Sequence, residues 1–252
     1  MKKTIVIKIG GSPLEKDSTR RILLKNISRI SPAYRIVIVH GGKYLINRFL
    51  EKLRIRIRFV QGQRYTGRKA LGAVRMALGH VNRMVTDELN MNGCHAAGLS
   101  GIYGKILRAR RISSLGYVGK ITRVNSALIE SLTAAGITPV IYPVCSGRAT
   151  ALNVNADSAA SEIAAALGAE HLIFISDVPG VLDGRGRVIR KIRSGEVSTL
   201  KKKRVVTGGM IPKLEGCMNA IRKGVVEIHI TDTVKFSGKT VFSRLPGTRI
   251  TR

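Results

Sequence analysis

Apolar residues along this chain follow two alternating rhythms, short unbroken runs and longer stretches with helical spacing. Thr4 to Ile7 is a run of the first kind and predicts a buried strand that leads into Lys8-Ile9-Gly10-Gly11-Ser12. Ile22, Leu23, Leu24, Ile27 and Ile30 then recur at helical spacing, with Asp17 or Ser18 placed to cap the helix they predict. Arg35 to Val39 is a second apolar strand and also ends in glycines, His40-Gly41-Gly42. Strand, helix and strand make a βαβ unit with both glycine turns at one edge of a parallel sheet, the edge where open α/β sheets bind ligands.

The rest of the chain keeps this grammar with one exception. From Leu53 to Phe59 the residues alternate strictly, with Arg54, Arg56 and Arg58 set against Leu53, Ile55, Ile57 and Phe59, which predicts a strand with one cationic face. Ala70 to Met91 predicts a long helix ended near Gly93, and Asn125 to Ala135 a further helix closed by Gly136. Ile137 to Val144 and His171 to Ile175 predict strands, with a helix over Asp157 to Leu167 between them. Turn formers cluster at Asp177-Val178-Pro179-Gly180, and Asp183-Gly184-Arg185-Gly186 predicts a hairpin. Thr207-Gly208-Gly209-Met210-Ile211-Pro212-Lys213 opens a helix through Arg222, and Val225 to Ile230 with Thr240 to Phe242 closes the sheet. The pattern is that of an α/β fold on a mainly parallel open sheet, with no internal repeat and no linker.

Charge changes the picture more than composition does. The 252 residues include 44 Lys and Arg against 15 Asp and Glu, a net +29, which predicts a polyanionic partner. Aromatic residues are only 4% and Trp is absent, so stacking platforms for single-stranded nucleic acid are thin. Besides Arg54, Arg56 and Arg58, a second basic segment gathers Lys105, Arg108, Arg110 and Arg111. Hydrophobic content of 44% supports a core, and no apolar run reaches the roughly 18 residues of a membrane span. Cys94, Cys145 and Cys217 are too few and too scattered for a disulfide framework or zinc ribbon, which fits packing roles in a reducing cytoplasm.

Polar chemistry concentrates at Asn153-Val154-Asn155-Ala156-Asp157-Ser158-Ala159-Ala160, where two amides and a carboxylate precede an alanine-rich helical run. Neither a Walker A motif nor a protein-kinase signature occurs. Lys8, Lys213, three Gly-Gly turns and Asp157 nevertheless suit phosphoryl transfer, which needs positioning and charge neutralisation more than covalent help.

The motifs taken together, Lys8-Ile9-Gly10-Gly11-Ser12, His40-Gly41-Gly42, Gly62-Gln63-Arg64-Tyr65-Thr66, Gly98-Leu99-Ser100-Gly101, Asn153 to Asp157, Asp177 to Val181, Gly208 to Lys213 and Gly247-Thr248, resemble the amino-acid kinase family and its acetylglutamate kinase group. The resemblance implies a three-layer α/β/α sandwich. It implies one domain over residues 1–252, with about the first 150 residues serving the amino-acid substrate and about 151–252 serving ATP and Mg2+. By motif position it implies that Lys8 and Lys213 neutralise the moving phosphoryl group and that Asp157 organises both. Gly10, Gly11, Gly41 and Gly42 would donate backbone hydrogen bonds to phosphoryl and acceptor oxygens. Arg64 would clamp the substrate α-carboxylate beside Asn153, while Ser176, Asp177, Gly180 and Gly209 would line the nucleotide site, with no metal held by a protein cage. The product would be an acyl phosphate of lysine or arginine synthesis.

A branch of the family acts on aminoadipate or glutamate attached to a small, very acidic carrier protein (LysW), and net +29 makes that branch the leading expectation. Arg54, Arg56, Arg58, Arg108, Arg110 and Arg111 would then form the docking face for the carrier. The alternatives are a kinase of free N-acetylglutamate and, from another class, a nucleic-acid-binding module on a retired kinase fold, against which the intact Lys8, Asp157 and Lys213 weigh. Tyr103 stands where relatives often have Asp. A homodimer in the cytoplasm is the expected state, with no membrane association.

Overall fold

The computed structural model describes residues 2–60, 62–203, 205–206, 210–232 and 245–252, with Pro212 described by its backbone alone. Along the chain run β1 (Thr4–Ile9), α1 (Gly11–Glu15), α2 (Asp17–Ile30), β2 (Arg35–His40) and α3 (Lys43–Lys52). A two-stranded hairpin, β3 (Phe59–Val60) with β4 (Gln63–Arg64), precedes the long α4 (Arg68–Met91) and β5 (Ala96–Ser100). Next come β6 (Leu107–Ile112), β7 (Val118–Val124), α5 (Ala127–Ala134), β8 (Thr138–Tyr142), β9 (Val144–Ser146) and β10 (Ala151–Asn153). The last part holds α6 (Ala156–Ala166), β11 (His171–Ile175), β12 (Lys191–Arg193), α7 (Val197–Lys202), α8 (Met210–Arg222), β13 (Glu227–Thr231) and β14 (Thr248–Thr251).

Among the described residues, eight strands form one sheet in the order β12-β14-β13-β11-β1-β2-β8-β5, parallel except for the β13–β14 pair. Strand alternation sorts the apolar residues into two layers. Ile5, Ile7 and Ile9 face one side and pack with Leu23, Leu24 and Ile27 of α2 and Val81, Val85 and Leu89 of α4. Val6, Val37, Val39, Leu172 and Phe174 face the other side, against Ile129 of α5, Ile163 of α6 and Leu214 of α8. Strands covered on both faces read as continuous apolar runs, which is why β1, β2 and β11 were legible as such. The α/β/α sandwich follows from this arrangement. Strands β6, β7, β9 and β10 close a small ring beside the sheet.

Several expectations need correction. Leu53 to Phe59 is not a strand, and only Phe59 and Val60 pair, with Gln63 and Arg64. The run instead ends α3. The Arg54 N–H donates to Glu51 O at 2.9 Å and the Ile55 N–H to Leu50 O at 2.8 Å, with Arg54 in the left-handed region at φ 53°. That is a Schellman termination with Arg where glycine usually stands, so the sequence carried no stop signal. The alternation survives in burial, since Ile55 and Ile57 pack on the α3–α4 cluster while Arg54, Arg56 and Arg58 are exposed. Neither Asp17 nor Ser18 caps α2; its N-cap is Lys16, and Asp17 pairs with Arg20 at 2.7 Å. The Asp183 to Gly186 turn is a single antiparallel bridge, Leu182 to Val188, held by the Asp183 carboxylate accepting from the Arg185 and Arg187 N–H groups. Thr240 to Phe242 lies outside the described residues. All three cysteines are buried, with the Cys217 thiol pushed up to about 12 by burial. No helix among the described residues is long and apolar enough to cross a membrane.

One buried side chain ties these layers together. The Asn82 amide of α4 donates to Val140 O at 2.8 Å and to His40 Nε2 at 3.0 Å, and His40 Nδ1–H donates to Gly41 O at 2.9 Å. A side chain at Gly98 would collide with this amide, as a Cβ there would lie 2.3 Å from Asn82 Oδ1. Asn82→Ala leaves the buried His40 Nε2 without a donor and is expected to cost about 1–3 kcal/mol in urea denaturation.

Candidate active site

Strands β11, β1 and β2 are neighbours in the sheet and end side by side at Ile175, Ile9 and His40. Beyond those ends opens a cavity of about 840 Å³, a size suited to a small-molecule ligand. Its wall is built from the loops that follow the three strands, the start of α6, the start of α8 and the β3–β4 hairpin.

Alternation sets the centre of this site. Lys8 is two residues beyond Val6 and shares its face, so its side chain runs along the α6 side of the sheet, where it is 8% exposed. The first turn of α6 is fixed by its cap: Asn155 Oδ1 accepts from the N–H of Asp157 at 2.8 Å and of Ser158 at 3.1 Å. Asp157 Oδ1 thereby lies 2.7 Å from Lys8 Nζ, and Asp157 Oδ2 accepts from Lys213 Nζ at 2.9 Å. Lys213, in the first turn of α8, also lies over the Phe174 ring, 5.0 Å from its centroid. Burial pushes the Asp157 carboxyl up, but Lys8 and then Lys213 outweigh it and hold the group at about 2. Burial pulls the Lys8 ammonium below its ordinary value; Asp157 opposes this and Lys213 adds to it. The triad carries a net positive charge in a protected place, which is an anion site.

A second cation stands at the hairpin. Arg64 is half-buried, its Nη2 donates to Asn47 Oδ1 at 2.5 Å, and its guanidinium lies 4.8 Å from the centre of the cross-strand Phe59 ring. Arg64 Nη1 is buried with no hydrogen-bond partner among the described residues. The loop after it is pinned to the ring of strands: Tyr117 N–H donates to Thr66 O at 2.7 Å, and Asn153 Nδ2 donates to Thr66 Oγ1 at 3.2 Å. Gly116, at φ 75°, is required there, because a Cβ would lie 2.4 Å from Thr66 O. At the β11 end of the cavity, Ser176 Oγ is likewise buried without a partner among the described residues, beside the exposed Asp177. Each end of the cavity therefore offers one unsatisfied polar group, and the triad lies between them.

Lys8, Gly10, Gly11, Gly41, Gly42, Arg64, Asn153, Asp157, Ser176, Asp177 and Lys213 all line this one cavity. The expected donor roles of Gly10 and Gly41 do not survive, because their N–H groups donate to Ile175 O at 2.8 Å and Ile9 O at 3.0 Å and so extend the sheet. Gly11 and Gly42 make no such backbone bond among the described residues, and both line the cavity. Gly180 is away from the cavity lining, packed at φ 155° where a Cβ would meet Thr248 Oγ1 at 2.6 Å, so its role is close packing. Gly209 lies outside the described residues. Among the basic residues, Arg111 is exposed but tethered, donating to Gly116 O at 2.6 Å and stacking 4.4 Å from the Tyr117 ring centre. Arg108 and Arg110 are exposed on β6, a different element from Arg54, Arg56 and Arg58.

Asn47 and Phe59 are among the wall residues that escaped the sequence reading. Asn47 anchors Arg64, and its one signal was an Asn inside a helix, where that residue has low propensity. Phe59 supports the same guanidinium, but as one apolar position in an alternating run it looked like core.

A family model described as the amino acid kinase family matches residues 3–232. The acetylglutamate kinase of Endomicrobium trichonymphae is 40% identical over 236 residues, covering 93% of this chain and 95% of the relative. The acetylglutamate kinase of Bacillus cytotoxicus is 39% identical over 256 residues, covering 100% and 98%. A solved structure from Streptococcus mutans superposes with a TM-score of 0.86 at 31% identity, covering 100% of this chain and 99% of that one.

The triad makes a titration prediction. In the folded protein Asp157 sits at about 2, below its ordinary 3.8, so the stability it adds is complete above 3.8 and lost as pH falls through about 2. For Lys8 the native proton leaves below 10.5, and Asp157→Asn removes the group that opposes this. Lysine-selective NMR should show the Lys8 side chain titrating below 10.5, and lower still in the Asp157→Asn protein. An unchanged Lys8 titration would contradict the electrostatic account.

Proposed function

The chain belongs to the amino acid kinase family, and we propose that it transfers the terminal phosphoryl group of ATP to the side-chain carboxylate of N-acetylglutamate, giving an acyl phosphate. The reading rests on Asp157 held between Lys8 and Lys213 in the cavity into which Arg64 brings an unpaired guanidinium nitrogen. Relatives at about 40% identity that bear the name acetylglutamate kinase support the choice of substrate.

Transfer of a phosphoryl group to a carboxylate joins two anions, so the chemistry needs charge neutralisation and alignment. Lys8 and Lys213 supply the first from positions fixed before any ligand arrives, and the Gly11 and Gly42 N–H groups add donors from adjoining strand ends. Arg64 and Asn153 hold the acceptor at the hairpin end, with the guanidinium suited to bidentate carboxylate binding. Ser176 and Asp177 face the nucleotide at the other end. The acceptor is already ionised, so no general base is needed. His40 is none, since both ring nitrogens are engaged and burial holds it neutral, at about 4. Asp157 is paired with both lysines, and Glu15 and Asp177, both exposed on the cavity wall, are the carboxylates able to meet a Mg2+ that arrives on the nucleotide. That ion, when bound, neutralises phosphate charge.

Lys213→Ala should lower kcat by about 10²–10³ with little effect on folding. Arg64→Lys should raise KM for N-acetylglutamate and leave that for ATP unchanged, because lysine cannot form the bidentate contact. A coupled ATPase assay checks both, and equal effects of Arg64→Lys on the two substrates would remove the proposed division of the cavity.

One observation favours a second reading. Arg54, Arg56 and Arg58 form an exposed cationic row just before the hairpin that carries Arg64, in a chain of net +29. In that reading the acceptor is glutamate or aminoadipate carried on an acidic protein such as LysW, and Arg108 and Arg110 belong to the docking surface. Free N-acetylglutamate and the loaded carrier, assayed side by side, separate the two. Turnover of the free substrate that persists at high salt supports the first, and turnover confined to the carrier and lost in Arg54→Glu/Arg56→Glu/Arg58→Glu supports the second.

A further inference from the structure

The opposite edge of the sheet holds a cluster that the phosphoryl-transfer reading does not use. β11 and β13 both begin there, roughly 15 Å from the cavity by strand rise. Their register sets His171 beside Glu227 and places His229 two residues further along β13, so all three side chains leave the same face. Glu227 Oε2 lies 3.8 Å from His171 Nδ1, Glu227 Oε1 lies 3.5 Å from His229 Nε2, and one donor atom from each residue falls within 4.8 Å of the others. Around zinc, with ligand bonds of about 2.0–2.1 Å, tetrahedral donors stand roughly 3.4 Å apart. Side-chain movements of about 1 Å or less therefore bring the three donors to ligand distance.

We propose that His171, Glu227 and His229 bind one divalent transition-metal ion, zinc being the representative case. Two imidazoles and a carboxylate suit Zn2+, Co2+ or Ni2+ and do not suit Mg2+ or Ca2+, which prefer all-oxygen ligands. Burial lowers both histidines, His229 to about 3, so each is in the neutral ligating form at neutral pH. The surroundings resemble an outer ligand shell. Glu170 Oε1 lies 3.7 Å from His171 Nε2, and Arg249 Nε lies 3.2 Å from Glu227 Oε1. Lys3, paired with Glu170, and Lys191 and Arg249 near Glu227 repel a divalent ion, so binding must come from direct ligation by the two imidazoles and the carboxylate. His171 and Glu227 keep 11% and 16% side-chain exposure, enough for entry from solvent. The ion would join β11 to β13 at the start of the strands, a structural role remote from the cavity.

Equilibrium dialysis of the purified chain against zinc tests the site. The expected result is one Zn2+ per chain and a thermal midpoint that rises with zinc, does not rise with Mg2+, and returns to its starting value on chelation. Co2+ should give the visible absorption of a four-coordinate ion, a measurement on the unaltered protein that needs no variant. Glu227→Gln and His229→Gln should abolish uptake, Glu170→Gln should weaken it by about tenfold, and His80→Gln, at an exposed histidine elsewhere, should leave it unchanged. Lack of stoichiometric uptake by the unaltered protein, or uptake that survives in both Glu227→Gln and His229→Gln, overturns the proposal.

Discussion

The buried contact of Lys8, Asp157 and Lys213 is the constraint that the rest of the molecule is arranged to meet. Two ammonium groups taken out of water repel one another and lose hydration, and a single carboxylate between them makes the arrangement tolerable. Each member comes from a different element: the end of β1, the first turn of α6 and the first turn of α8. Strand alternation sends Lys8 to the α6 side, the Asn155 cap fixes the turn that bears Asp157, and Phe174 supports Lys213 from the sheet. A shift in any of these elements would leave a buried charge uncompensated, so the electrostatics also enforce the packing. A site of this kind is electropositive before its ligand arrives, and such preorganisation is where most catalytic stabilisation by charge originates.

The two ends of the cavity are held by different means. At the β11 end, sheet hydrogen bonds place the Ser176 loop directly, through Gly10 N–H to Ile175 O and Ser176 N–H to Thr231 O at 2.9 Å. The hairpin end has no such support, because among the described residues β3 and β4 pair only with each other. It is steadied instead by Asn47 from α3, by the Phe59 ring, and by the Thr66–Gly116 bridge to the small ring of strands. Asn153 belongs to that ring and also lines the cavity, so it couples the hairpin to the start of α6 only a few residues later.

Much of the fold was legible because its central strands are covered on both faces and its helices are amphipathic, patterns that survive without knowledge of partners. The same logic failed at Leu53 to Phe59. Alternation there reports burial of Ile55 and Ile57 under a helix end, and a period of two shows which side is buried without showing whether a neighbouring strand exists. Glycine motifs were a similar half-signal. Gly-Gly marks where the backbone comes close to something, yet Gly10 and Gly41 turn out to spend their N–H groups on the sheet while Gly11 and Gly42 do not.

The sequence by itself determined which residues could take part. Residue type and spacing marked two lysines, three Gly-Gly turns and one aspartate as a phosphate-handling set, the family resemblance added Arg64 and Asn153 on the acceptor side, and the strand and helix periods determined the α/β layering. Only the tertiary structure decided that these groups share one cavity, that Asp157 touches both lysines, that Arg64 leans on Asn47 and Phe59, and that Arg111 is tethered to Gly116 and Tyr117. The reason is physical: periodicity is a local property of the chain, whereas ion pairing and desolvation depend on which distant segments the packed sheet brings within a few ångströms. The Asn153–Ala160 stretch illustrates the division. Asn155 could be read as a cap from its neighbours alone, but the charge state and partners of Asp157, two residues on, exist only once β1 and α8 are in place.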